Sequence, residues 1–148
     1  MTRVSVVRPY GRQIRERVFA LLERAGLSPR EQDVIPKGTD DEQVVATLRR
    51  LRPDVLVIPF HAHRDGHGET VNGLELIERL LEEAPELSSL PILMPASMTA
   101  LPAAHLRLSP LAPRPLPERV RSRILLIDES DLDAPGLADA IRDHVSGR

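Results

Sequence analysis

Three of the chain's five histidines fall in one short string, Phe60-His61-Ala-His63-Arg-Asp65-Gly-His67-Gly-Glu69. His61, His63, Asp65, His67 and Glu69 occupy alternate positions, and in extended backbone alternate side chains project to one side. Imidazole and carboxylate donors together suit Zn²⁺, Ni²⁺, Cu²⁺ or Fe²⁺. The candidate metal ligands are therefore His61, His63, Asp65 and His67, and histidines there would also titrate near neutrality. Gly66, Gly68, Asn72 and Gly73 punctuate the same stretch, so the plainer reading is a turn-rich, solvent-facing loop.

Little else in the chain offers chemistry. There is no cysteine, which removes disulfides, thiolate metal sites and cysteine nucleophiles together. No G-x-S-x-G, phosphate-binding P-loop, G-x-G-x-x-G or H-E-x-x-H motif occurs. The chain carries 20 basic and 22 acidic residues for a net charge of −2, and three aromatic residues in all. Near-neutral charge and so few stacking platforms argue against nucleic acid and acidic membranes as partners. No apolar run approaches the ~18–20 residues of a membrane span, and residues after Met1 do not pattern as a signal peptide, so a cytoplasmic protein is expected. Its 148 residues suit one domain, spanning 1–148.

The elements that would position the histidine string alternate between strand and helix. Thr2–Arg8 is β-branched and closed by Pro9. From Tyr10 to Ala25 the apolar positions Ile14, Val18, Leu21, Leu22 and Ala25 take helical spacing, and Gly26 stops that helix. Glu31–Ile35 is a weak second strand. Asp40 is placed to cap a helix over Asp41–Leu51, with Val44, Val45, Leu48 and Leu51 as its stripe. Asp54–Ile58 is a continuous apolar run, the pattern of a strand buried on both faces. A helix over Gly73–Ala84, a strand over Pro91–Met94, a strand over Arg123–Ile127 and a short helix over Pro135–Val145 complete the series. Five strands alternating with helices predict an α/β protein of three layers, a parallel sheet covered on both sides.

The stretch Arg52-Pro-Asp-Val-Leu-Val-Ile-Pro-Phe60, then Asn72-Gly-Leu-Glu-Leu-Ile-Glu-Arg-Leu80, then Leu90-Pro-Ile-Leu-Met94, resembles the middle of a response-regulator receiver domain. The order of elements extends the resemblance over nearly the whole chain. It implies the flavodoxin-like doubly wound fold, five parallel strands in the order 2-1-3-4-5, with the site at their carboxyl ends. The family's functional residues find poor counterparts. Its Mg²⁺-holding acidic pair at the end of the first strand corresponds to Arg8 and Pro9, which cannot ligate a hard cation. Its phosphoacceptor aspartate corresponds to Pro59. Its switch Thr or Ser corresponds to Ala96 or, one residue on, Ser97. Its phosphate-contacting lysine falls near Asp128 and Glu129, reversing the charge. The string His-Ala-His-Arg-Asp-Gly-His is also similar to the metallo-β-lactamase motif, broken here by Gly66 in a chain too short for that fold.

Two further expectations follow. Arg8 and Asp128, both at strand ends on one rim, would pair across Pro59 and lock the pocket without a metal. The fourth helix of the receiver pattern would be largely replaced by a proline-rich segment, with at most a turn around Ala103–Leu106. Ser109–Pro117 would favour a polyproline II strap, with a PxxP spacing at Pro110 and Pro113. Leu106, Leu108, Leu111 and Leu116 are the candidate partner surface. The sequence thus reads as a receiver-like signalling module without enzymatic activity or cofactor, acting through contact with another protein or a second copy of itself. The alternative is a small metal-binding protein or metal-dependent enzyme using the histidine string.

Overall fold

Val4, Val6 and Val7, with Val55, Leu56 and Val57, are almost wholly removed from solvent and form adjacent parallel strands at the centre of the sheet. In the computed structural model, which describes residues 2–9, 11–63 and 70–147 (61–63 and 70–72 through their backbone only), the chain runs as follows. Strand β1 (Val4–Val7) leads to helix α1 (Arg12–Arg24), β2 (Val34–Ile35), α2 (Asp41–Leu51) and β3 (Val55–Val57). A two-stranded hairpin, β4 (His61–His63) and β5 (Thr70–Asn72), precedes α3 (Gly73–Glu83) and the single turn α4 (Pro85–Ser88). Then come β6 (Ile92–Ala96), α5 (Leu101–Arg107), the single turn α6 (Glu118–Arg121), β7 (Ile124–Asp128) and α7 (Leu137–Val145).

The main sheet has five parallel strands in the order β2-β1-β3-β6-β7. With the hairpin set aside this is the expected 2-1-3-4-5. Alternation along each strand divides the core in two. Val4, Val6, Val55, Val57, Leu93 and Ile127 face α1 and α7, packing on Val18, Leu21, Leu22 and Ile141. Val7, Leu56, Ile58, Ile92 and Met94 face the other way, onto Val44, Val45 and Leu48 of α2 and Leu74, Ile77 and Leu80 of α3. A sheet covered on both faces requires strands that are apolar throughout, which explains the unbroken runs at β3 and β6.

Local chemistry sets the boundaries. Asp40 accepts a hydrogen bond from the Gln43 amide at 2.8 Å, so α2 begins where its cap predicts. Gly73 opens α3 because nothing larger fits: a Cβ there would stand 2.2 Å from the Pro59 carbonyl oxygen. Its amide donates to Phe60 O at 2.7 Å, seating the helix on the end of β3.

The proline-rich stretch is more regular than its composition suggests. Helix α5 runs for seven residues rather than one turn, because Pro102 sits in its first turn, where no amide donor is needed. It ends at Arg107 with Leu108 as cap, and the polyproline strap does not continue from there. Ser109 instead builds a turn, accepting from Leu111 N on its side chain (3.1 Å) and from Ala112 N on its carbonyl (3.1 Å). Among the described residues, no helix is long and apolar enough to cross a membrane.

Candidate functional site: the carboxyl rim of the sheet

Three strands of the sheet meet a proline at or just beyond their carboxyl ends. Pro9 follows β1, Pro59 follows β3, and Pro95 is the penultimate residue of β6. Together with Val6, Ile14, Arg15, Val18 and Val57, these three line one cleft of about 10 Å³, at the threshold for a single water. Among the described residues, no carboxylate lines it. A hard cation needs several oxygen ligands at close range, and pyrrolidine rings supply none. Ala96, also expected on this rim, is fully buried and lies in register with Asp128 across β6 and β7.

Arg8 occupies the turn out of β1 with φ of 46°, left-handed backbone that non-glycine residues adopt at a cost. Its amide donates to Ile35 O at 2.7 Å, continuing the β1–β2 pairing by one step. Its side chain is 3% exposed. The guanidinium does not reach Asp128 as expected. Nη1 donates to Asp41 Oδ1 at 2.8 Å and to the Thr39 carbonyl at 3.1 Å. The chain direction explains the correction: Arg8 turns toward the adjacent edge strand β2, and the segment after β2 brings Thr39 and Asp41 to it. Asp128, on the opposite edge strand, is used locally, its Oδ1 accepting from Ser130 N at 2.8 Å to cap the 3₁₀ turn Glu129–Asp131. Glu129 is buried at that turn. Ser97 likewise serves the backbone, accepting from Ala100 N at 3.2 Å at the entry to α5.

The histidine string follows directly from β3. His61 pairs with Asn72, Ala62 with Val71 and His63 with Thr70 in an antiparallel ladder. This hairpin has no counterpart in the sequence expectation of a plain loop. Its backbone period places positions 61 and 63 on the same face. Asp65 and His67 lie outside the described residues. Among the described residues, no group of three or more His, Asp or Glu side chains gathers in a metal-holding arrangement.

The four leucines of the candidate partner surface divide. Leu111 is 91% exposed and Leu106 68%, and Met98, which the sequence reading did not single out, is 70% exposed. Leu108 is partly buried against the core. Leu116 is buried and belongs to that core, so it is removed from the surface set. Beside Leu106, Arg107 spans to Glu78 of α3 at 3.1 Å, and a cleft lined by Glu75, Glu78, Arg107, Ala112, Pro113 and Arg114 opens between α3 and the Ser109 turn.

Comparison with known proteins places this arrangement on a familiar scaffold. No family model matches the chain, and no curated protein matches it. Solved structures do. A two-component transcriptional regulator AraC from Clostridium phytofermentans ISDg is 16% identical, covering 99% of this chain and 94% of its own, with a TM-score of 0.54. The BeF3-activated receiver domain of nitrogen regulatory protein C is 22% identical, covering 99% and 97%, with a TM-score of 0.51. NtrX from Brucella abortus is 16% identical with a TM-score of 0.56; the match covers 99% of this chain, which spans only 28% of the NtrX chain. At these identities the likeness is one of fold. The chain has the fold of a response-regulator receiver domain, as the receiver-like phrases in its sequence imply.

Proposed function

We propose that this protein is a receiver-like regulatory module that works without phosphotransfer and transmits its state by docking another protein. The observation that carries the reading is the proline-lined rim. At the carboxyl ends of β1, β3 and β6, where this fold concentrates its ligands, Pro9, Pro59 and Pro95 enclose a cleft that no carboxylate among the described residues lines and that has no room for a hydrated cation. The neighbouring buried cation, Arg8, already has its carboxylate in Asp41. Aspartyl phosphorylation requires a nucleophilic carboxylate and a metal to offset the charge of the incoming phosphoryl group, and these residues favour neither. Docking is assigned to Met98, Leu106 and Leu111, the large apolar side chains most exposed among the described residues, since apolar surface held in water gains by being covered. The test is partner capture from the source cell extract, with the recovered protein identified. Recovery by the native chain, unchanged by acetyl phosphate with Mg²⁺ and lost in the Leu106→Asp/Leu111→Asp variant, supports the reading. Recovery that requires the phosphodonor, or that survives the double variant, contradicts it.

A second reading has one observation in its favour. The hairpin register puts His61 and His63 two residues apart on one face of a strand, a spacing that suits a transition-metal ion shared between imidazoles, with Asp65 and His67 as further donors. Calorimetric titration with Zn²⁺ or Ni²⁺ decides it. Stoichiometric binding lost in a His61→Ala/His63→Ala/His67→Ala variant supports a metal site; equal weak binding by both removes it.

A further inference from the structure

The cleft between α3 and the Ser109 turn, about 350 Å³ in volume, is lined by two glutamates and two arginines, so the charges of its described lining sum to zero. They do not all pair. Glu78 meets Arg107 at 3.1 Å, whereas Glu75 and Arg114 face the same space without an ion pair between them or to any other described residue. Glu75 lies three residues before Glu78 on α3, a spacing at which like charges repel. Its natural relief is Arg79, four residues on, in the favourable order of acid before base. Arg79 instead binds Glu83 at 2.6 Å. Arg114 is exposed and stands between Pro113 and Pro115, whose rings fix φ at both neighbouring positions, so its guanidinium is displayed on stiff backbone.

We infer that this cleft binds a small zwitterion of the α-amino-acid class, its ammonium on Glu75 and its carboxylate on Arg114. A lone anion gains Arg114 but meets the carboxylate of Glu75, and a lone cation gains Glu75 but meets the guanidinium of Arg114. A ligand with both charges on one short body engages the two uncommitted groups at once and leaves the Glu78–Arg107 pair intact. Two parallel N–H donors of a guanidinium match a carboxylate, and an ammonium brings its own donors to Glu75. Ala112 and Pro113 supply the apolar part of the lining, which suits a short aliphatic side chain. Charge contacts in so open a setting are individually weak, so the affinity is modest. The bound zwitterion bridges α3, which starts where the hairpin ends, to the turn that carries Leu111, an input to the module other than a phosphoryl group. That role rests on the docking reading, but the binding does not: the cleft shares no residue with Met98, Leu106 and Leu111.

The experiment is an NMR titration of the ¹⁵N-labelled full chain with L-alanine at low salt. Saturable shifts centred on the amides of Glu75, Ala112 and Arg114, with a dissociation constant below about 10 mM, are expected. N-acetyl-L-alanine, which lacks the cation, and L-alanine methyl ester, which lacks the anion, each bind about tenfold more weakly. Glu75→Gln and Arg114→Gln, both at exposed positions, each weaken L-alanine about tenfold, while Arg49→Gln/Glu86→Gln, at the cleft beside α2, binds as the native chain does. Absence of saturable shifts up to about 100 mM, equal binding of the two half-charged analogues, or equal losses in all three variants overturns the proposal. Partner capture that fails while L-alanine still binds removes the docking reading and leaves this site standing.

Discussion

The Arg8 guanidinium meets the Asp41 carboxylate at 2.8 Å, tying the exit of the central strand β1 to the first residue of α2. The two ends of this contact sit in different media. Arg8 is 3% exposed and Asp41 19%. Removing the carboxylate therefore leaves the buried charge with the Thr39 carbonyl as its one remaining hydrogen-bond acceptor among the described residues, whereas removing the arginine leaves an aspartate that water can reach. Breaking a buried pair from the side that leaves the buried charge is the costlier operation. Asp41→Ala is expected to destabilise the fold by about 3 kcal/mol and Arg8→Met by about 1 kcal/mol or less, measured as midpoints of urea unfolding. Equal costs would mean that Arg8 is hydrated in solution and the pair is not a lock.

Gly73 supplies a test of the contact between α3 and the strand-end proline. A methyl group at that position would collide with the Pro59 carbonyl oxygen, which is backbone and cannot rotate aside. Gly73→Ala should cost about 2–4 kcal/mol, although the same substitution elsewhere in a helix ordinarily stabilises. Thermal melts of the variant report the sign directly.

The leucines along the proline-rich stretch should separate cleanly by stability. Leu111→Asp, at a position 91% exposed, is expected to change unfolding free energy by less than about 0.5 kcal/mol. Leu116→Asp places a carboxylate in the core and should cost at least about 3 kcal/mol. If Leu111→Asp unfolds the chain, the surface assigned to a partner is instead covered by the protein itself.

A smaller effect isolates the cap of α2. Asp40→Ala removes the acceptor for Gln43 N and should cost about 1 kcal/mol, with no change in the Arg8–Asp41 contact next to it.

The frame of this fold was legible because its signals are local. Continuous apolar runs announced β3 and β6, Asp40 announced α2, and the helical stripe of Val18, Leu21 and Leu22 announced α1. The site was half legible. That Arg8, Pro9 and Pro59 lie at the carboxyl ends of β1 and β3 is readable by counting along the strands, and Pro95 lies likewise at the end of β6. The partner of Arg8 was not readable. Asp128 and Asp41 are both acidic residues near strand ends, and only the strand order, which puts β2 beside β1 and β7 at the far edge, chooses between them. The hairpin at His61–His63 is not legible because Gly66 and Gly68 read equally as part of a loop or as the turn of two short strands. Helix α5 is not legible from composition because proline breaks a helix in its interior but is tolerated in its first turn, where Pro102 sits.

Phosphodonor treatment tests the central claim most directly. The purified full chain, incubated with acetyl phosphate and Mg²⁺ and weighed intact by mass spectrometry, is expected to keep its mass if, as proposed, Pro59 stands in the place of the phosphoacceptor. The gain of one phosphoryl group, mapped to an aspartate at the carboxyl rim, would contradict the account.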